Sequence, residues 1–145
     1  MTARDTGRAM SQENVEIVQR IYEAAARRDE MAAFEVYAED IVWDMSHWRR
    51  AFLYSQPIYH GHEGVRDAWR EGLSAFSEID FEIKDLVDAG DRVLVVVAER
   101  ERGRASGVPV KASHLAVWML SDGKVTGLQV FDDRQQALEA AGLPE

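Results

Sequence analysis

The stretch Val108–Arg134, VPVKASHLAVWMLSDGKVTGLQVFDDR, decides the fold. Val110 to Leu120 is long, apolar and rich in strand-forming residues; Ser121-Asp122-Gly123-Lys124 follows, and Val125 to Phe131 returns. Asp-Gly between two such runs marks a tight hairpin, because Gly accepts positive φ. Asp132 or Asp133 stops the second strand and can cap a short helix, Arg134 to Ala141. Two long antiparallel strands need more strands beside them and a cover on one face.

The rest of the chain supplies both. Working back from the hairpin, Ile79–Val87, Arg92–Arg102 and Val108–Leu120 read as strands separated by Asp88-Ala89-Gly90-Asp91 and by Gly103–Gly107. With Val125–Phe131 they make a four-stranded meander. Upstream the apolar period changes. Val15, Val18, Ile21, Tyr22 and Ala25 recur at helical spacing over Gln12–Arg28, with Ser11 as N-cap. Asp29 can cap a second helix over Glu30–Tyr37, and Ile41–Asp44 reads as a short strand. Val65, Trp69, Leu73 and Phe76 form one stripe of a third helix, His62–Phe76. Between them lies an irregular run, Ser46–His62, dense in aromatic and histidine side chains; part of it, around Arg49–Tyr54, can be helical. Helices first, then a meander, then a short helix give an α+β domain, not a βαβ one.

The totals limit the function. A chain of 145 residues suits one domain with one core. The polar stretch 1–10 is expected to be a disordered extension, or to lie upstream of a natural start at Met10, with a single domain over 11–145. A formal net charge of −9 argues against nucleic acid and anionic lipid as partners. There is no cysteine, so disulfides, thiol nucleophiles and thiolate metal sites are excluded. No apolar run is long enough to span a bilayer, and the N-terminus lacks the apolar centre of a signal peptide. The expectation is a soluble cytoplasmic protein.

Several motifs resemble a known family. They are Tyr59-His60-Gly61-His62-Glu63-Gly64-Val65-Arg66, Asp122-Gly123-Lys124-Val125 and Asp133–Leu143, in this order of elements. Together they are similar to the SnoaL-like branch of the NTF2-like superfamily, over roughly Ser11–Leu143. The resemblance implies a cone: a curved antiparallel sheet wrapped around the N-terminal helices, with an open pocket between them. It also implies a homodimer through the sheet and a range of activities among isomerases, polyketide cyclases, hydrolases and dehydratases, so fold alone does not choose among them. Ketosteroid isomerases of this fold use a tyrosine, a base aspartate and an acidic aspartate. Their positions fall here on Ile21, Met45 and Leu115 or Ala116. None matches, with Tyr22 and Asp44 each one step off, so ketosteroid isomerisation is not expected.

A curved sheet cannot sit flush on straight helices, so one end stays open as a mostly apolar site. Polar residues inside apolar segments are then the ones to weigh. Alternation puts Val110, Ala112, His114, Ala116, Trp118 and Leu120 on one face of their strand, read as the inward one. His114 is therefore a candidate acid or base, against the plainer reading of a satisfied core histidine. Asp44 is a second candidate if Trp43 raises its pKa, although alternation sets Trp43 and Asp44 on opposite faces. Tyr59 and Gln129 could orient a carbonyl; Gln129 shares a face with Phe131, and its plainer reading is an outer-surface residue. Arg100 could hold an acidic group, but alternating with Glu99 and Glu101 it reads more simply as a solvated, charge-paired strand end. Trp43, His47, Trp69, Trp118 and Phe131 complete the candidate ligand-binding set. His47, His60 and His62 lack metal-ligand spacing, so no metal is expected, and no nucleotide fingerprint calls for a cofactor. The reading is a domain that binds or transforms a small hydrophobic molecule, any transformation being proton transfer without a cofactor. The alternative is a non-catalytic ligand-binding or dimerisation module.

Overall fold

The structure, a computed structural model, describes the backbone of residues 3–144 and the side chains of 11–144. Of the extension expected over 1–10, residues 1–2 lie outside the described residues. Helix α1 spans Ala3–Ala26. Ser11 is thus inside a helix and not its cap; its Oγ donates to Asp88 Oδ2 at 2.9 Å, and Asn14 Nδ2 donates to the Gly90 carbonyl at 3.0 Å. These bonds pin α1 to a turn of the sheet. Helix α2, Glu30–Glu35, starts at Asp29, whose Oδ1 accepts the Ala32 N–H at 3.1 Å.

The sheet has six strands in the order β2-β1-β6-β5-β4-β3. They are β1 Tyr37–Asp44, β2 Ile58–His60, β3 Phe76–Asp88, β4 Arg92–Gly103, β5 Pro109–Ser121 and β6 Lys124–Phe131. The meander β3 to β6 is the one the sequence shows. Asp122 (φ 51°) and Gly123 (φ 75°) both take positive φ at its hairpin, as an Asp-Gly turn that matches strand twist requires. Phe76, read as the end of the third helix, opens β3 instead. Two further parts differ from expectation. The second helix stops at Glu35, and β1 starts at Tyr37, because β6 draws the chain into the sheet there: the Val125 N–H donates to the Val36 carbonyl at 2.8 Å. The other is β2, three residues long inside the run read as irregular, and paired antiparallel with β1. β1 lies parallel to β6, a long-range pairing that no local pattern announces.

Helix α3, Gly61–Ala75, and helix α1 lie against the concave face of this sheet, and α4, Arg134–Ala141, covers part of the convex face. Each side therefore has its own core. On the concave side Val18 and Ile21 of α1 and Val65 and Ala68 of α3 meet Val93, Val95, Val97 and Trp118. On the convex side Leu94, Val117 and Phe131 pack under Ala137 and Ala141. Asp133 caps α4 by accepting the Gln135 N–H at 2.8 Å, and Gly142 (φ 72°) ends it in the left-handed conformation. In β3 a register shift between Ser77 and Asp80, with Glu78 at φ 54°, adds a residue to the strand. Phe76 and then Ile79 and Phe81 consequently all line the concave hollow, though strict alternation would separate Phe76 from the other two.

Candidate functional site

The hollow lies between the concave face, α1, α3 and a 3₁₀ turn over Arg49–Leu53. It encloses about 910 Å³ including its open end, of which about 120 Å³ admits the centre of a water-sized molecule. Its wall is largely apolar: Trp43, Met45, Trp48, Trp69, Phe81 and Trp118 all contribute. The register explains the choice of residues. Trp43 of β1, Leu128 of β6 and Trp118 of β5 stand directly opposite one another across three adjacent strands. Side chains in one such row point the same way, here inward.

His114 lies on that face four residues along β5 from Trp118, opposite Val97 of β4. Its ring packs against Trp48 at 5.5 Å and Phe81 at 6.3 Å. Its Nδ1 contacts Glu99 Oε1. The other Glu99 oxygen, Oε2, accepts from Arg50 Nη1 at 2.8 Å, and Arg50 Nη2 donates to Glu101 Oε1. The guanidinium itself lies over the rings of Phe76 at 5.0 Å and Trp48 at 5.6 Å. Glu99 and Glu101 are only 4% and 6% exposed, so this is a buried cluster of one imidazole, one guanidinium and two carboxylates.

The two carboxylates titrate in opposite directions. Burial raises the Glu99 carboxyl, but the hydrogen bond and charge of His114, with Arg50, outweigh it and hold the group below its ordinary value. Burial also raises Glu101, and the Glu99 charge beside it adds to the rise; Arg50 offsets only part, and Glu101 stays above its ordinary value. The pair therefore behaves as an ionised Glu99 next to a Glu101 that retains its proton more readily. Among the tyrosines of the wall, burial raises Tyr22, Tyr37 and Tyr54, the last to about 12. All three remain phenols and hydrogen-bond donors across the physiological range. Trp118 Nε1 donates to Tyr22 Oη at 3.2 Å.

Of the residues singled out in the sequence, His114, Trp43, Trp69 and Trp118 line the hollow. Six do not. Asp44 faces away from Trp43, and its Oδ1 accepts from Ser46 N at 2.9 Å and from Ser46 Oγ at 2.5 Å. Gln129 stands opposite Asp44 on the same outward face, so strand phase removes it too. Phe131 belongs to the core under α4, and His47 stacks on it at 5.2 Å with a 17° angle between rings. Tyr59 opposes Trp43 across the sheet edge, but its hydroxyl donates to Glu71 Oε2 at 2.5 Å. Arg100 is exposed, as strand phase requires once Glu99 and Glu101 point inward. The residues this reading missed are Glu99, Glu101 and Arg50. The three other histidines lie apart: His47 on Phe131, His60 exposed, and His62 with Nε2 at 3.0 Å from the Tyr37 carbonyl.

A cone of six strands around helices, with a hollow at its open end, is the architecture of SnoaL-like domains, and the model of that family matches residues 18–128. The chain belongs to the SnoaL-like family. Solved structures agree on the fold. An NTF2-like protein of unknown function from Burkholderia pseudomallei is 22% identical, with a TM-score of 0.75 over 88% of this chain and 95% of that one. TerC, co-crystallised with polyporic acid, is 18% identical, with a TM-score of 0.74 over 90% and 98%. A SnoaL-like polyketide cyclase, so described provisionally, from Jannaschia sp. is 18% identical, with a TM-score of 0.71 over 94% and 96%. No curated protein matches the chain. Of the positions where the resemblance would put the isomerase residues, Ile21, Met45 and Ala116 line the hollow with apolar side chains, and Leu115 packs in the core under α4.

Proposed function

We propose that this SnoaL-like domain binds a small apolar molecule in the hollow and transforms it by proton transfer without a cofactor. His114 is the group that exchanges the proton, and Glu99 holds its ring. One observation carries the reading: an imidazole set in an aromatic wall with its Nδ1 on a buried carboxylate. Such a partner fixes the ring and stabilises the imidazolium that forms when the other nitrogen takes a proton. Arg50 keeps Glu99 ionised, which the dyad needs. The chemistry this arrangement supports is removal of a proton from carbon beside a carbonyl. The C–H electron pair moves into an enolate and the proton goes to His114; its return to another carbon completes an isomerisation, or, where the enolate carbon bonds to a second carbonyl carbon of the same molecule, its transfer to the alkoxide formed there completes a ring closure. That TerC, of the same fold, was crystallised with polyporic acid supports a small-molecule ligand here.

The test uses 2-tetralone, a compact aromatic ketone, in heavy water. The wild type is expected to exchange its α-protons for deuterium, and His114→Gln to slow the enzymatic rate by about 10²- to 10⁴-fold. Equal rates for the two proteins would refute the assignment of His114. A second reading, ligand binding without turnover, is favoured by the placement of Asp44 outside the hollow, which takes one of the two acid–base candidates off its wall. Saturable binding of 2-tetralone with no exchange above buffer would select it.

A further inference from the structure

A second hollow lies on the other side of the wall formed by Tyr37 and Trp69. It runs between α1, α2 and α3, past Ala24, Ala33, Phe34 and Leu73, and about 300 Å³ of it admits the centre of a water-sized molecule. Ile21, Ala25, Tyr37 and Trp69 line both hollows, so the two are separated by one layer of side chains. An anomaly lies at that partition and on the main-hollow wall beside it. Tyr37 is 3% exposed and Trp43, beside it with ring centres 6.3 Å apart, is 8% exposed. Neither the Tyr37 hydroxyl nor the Trp43 indole N–H has a hydrogen-bond partner among the described residues. A buried donor without an acceptor costs about 1–3 kcal/mol, and one in the partition, with a second beside it on the wall of the main hollow, calls for a reason.

We propose that the two hollows are halves of one ligand site, and that Tyr37 and Trp43 donate to an acceptor oxygen of the ligand where it crosses between them. The ligand class is an elongated apolar molecule with an uncharged oxygen, such as a carbonyl, near its middle. The Trp43 N–H can only donate, so an acceptor is the ligand group that both Trp43 and the Tyr37 hydroxyl can serve. Burial also raises the Tyr37 hydroxyl, so it stays a phenol across the physiological range. The aromatic wall of the main hollow takes one flanking part, and Ala24, Ala33, Phe34 and Leu73 of the second hollow take the other, beside the charged side chains of Arg28, Asp29, Glu30, Arg66 and Arg70 that also line it. Crossing requires the Tyr37 and Trp69 rings to part, which uncovers the two donors as the ligand enters. This inference rests on the ligand-binding reading of the main hollow and extends it in length and polarity.

Benzophenone and diphenylmethane test it, because they share two flanking rings and differ only in the central carbonyl. Binding is read by tryptophan fluorescence, with 2-tetralone as the compact probe. Benzophenone should bind at least about tenfold more tightly than diphenylmethane, the worth of one or two good hydrogen bonds. Tyr37→Phe should reduce that ratio to about twofold to threefold. Leu73→Trp, which fills the second hollow from α3, should weaken benzophenone about tenfold and spare 2-tetralone. In the wild type, with no substitution, the Trp43 indole proton should move downfield on adding benzophenone and not on adding diphenylmethane. Equal affinity for benzophenone and diphenylmethane would overturn the donor pair. Insensitivity of benzophenone to Leu73→Trp would overturn the joined site, while 2-tetralone binding would still uphold the main hollow. Failure of all three probes to bind would overturn the underlying reading and this inference with it.

Discussion

The two halves of β4 are equally buried and chemically opposite. Val93, Val95 and Val97 are 0% exposed, and Glu99 and Glu101, continuing the same face, are 4% and 6% exposed. The valine half needs nothing but neighbours of the right shape, since aliphatic burial is favourable by itself. The glutamate half is unfavourable by itself. Each carboxylate must be met by an opposite charge or must hold a proton. The structure supplies both remedies: Arg50 and His114 for Glu99, and a raised pKa for Glu101. A valine continuing the strand would satisfy the fold at far lower cost. Charge kept on the wall of an apolar hollow therefore points to work done there, and the comparison locates the candidate chemistry in one half of one strand.

The comparison can be broken most severely at Arg50. Arg50→Ala leaves two buried carboxylates without their cation and should destabilise the fold by about 3–5 kcal/mol at neutral pH, measured by urea unfolding. A loss below about 1 kcal/mol would mean that the cluster is effectively solvated. In the valine half, Val95→Ala should cost about 1–3 kcal/mol, with the same cost at pH 5 and pH 8 because only methyl groups are lost. A pH-dependent cost there would tie the two halves more closely than this account allows.

The smallest effect concerns pH, and its sign differs for the two glutamates. Glu99 has a lowered folded pKa, so its stabilisation is present above the ordinary glutamate value of 4.5 and is lost as pH falls below it through the folded pKa. Glu101 has a raised folded pKa, so its contribution is complete below about 4.5 and declines as pH rises through the folded value. Glu101→Gln should remove that decline: between pH 4.5 and neutrality its stability curve should rise relative to wild type. A curve parallel to wild type over this range would place Glu101 at an ordinary pKa.

What could be read in the sequence divides along similar lines. The β5–β6 hairpin was legible because Asp122-Gly123 sits between two clear strands, and His114 because its face of β5 is otherwise apolar. The direction of Glu99 was not. From Val93 to Ala98 every residue is apolar, since α4 covers the outer face at Leu94 while the hollow side buries Val93, Val95 and Val97. With both faces apolar, β4 offers no phase, and Arg100 was as eligible as Glu99 for the inward position. The one available signal was register: pairing β4 against β5 across Gly103–Gly107 puts Val97 opposite His114, which fixes odd-numbered residues inward. Arg50 lay in a run with no period at all, and only the 3₁₀ turn brings it over the hollow. Asp44 and Gln129 illustrate the opposite case. Plain alternation after Trp43, and the Asp44–Gln129 register, send both outward.

The most direct test of the account follows the four histidine side chains by nitrogen-15 NMR during a titration with 2-tetralone. Only His114 stands in the hollow, so its ring nitrogens alone should shift, saturating with the same dissociation constant as the tryptophan fluorescence. A titration in which tryptophan fluorescence saturates while His114 stays unmoved, or in which His47, His60 or His62 responds in its place, would contradict the claim that the buried imidazole faces the ligand.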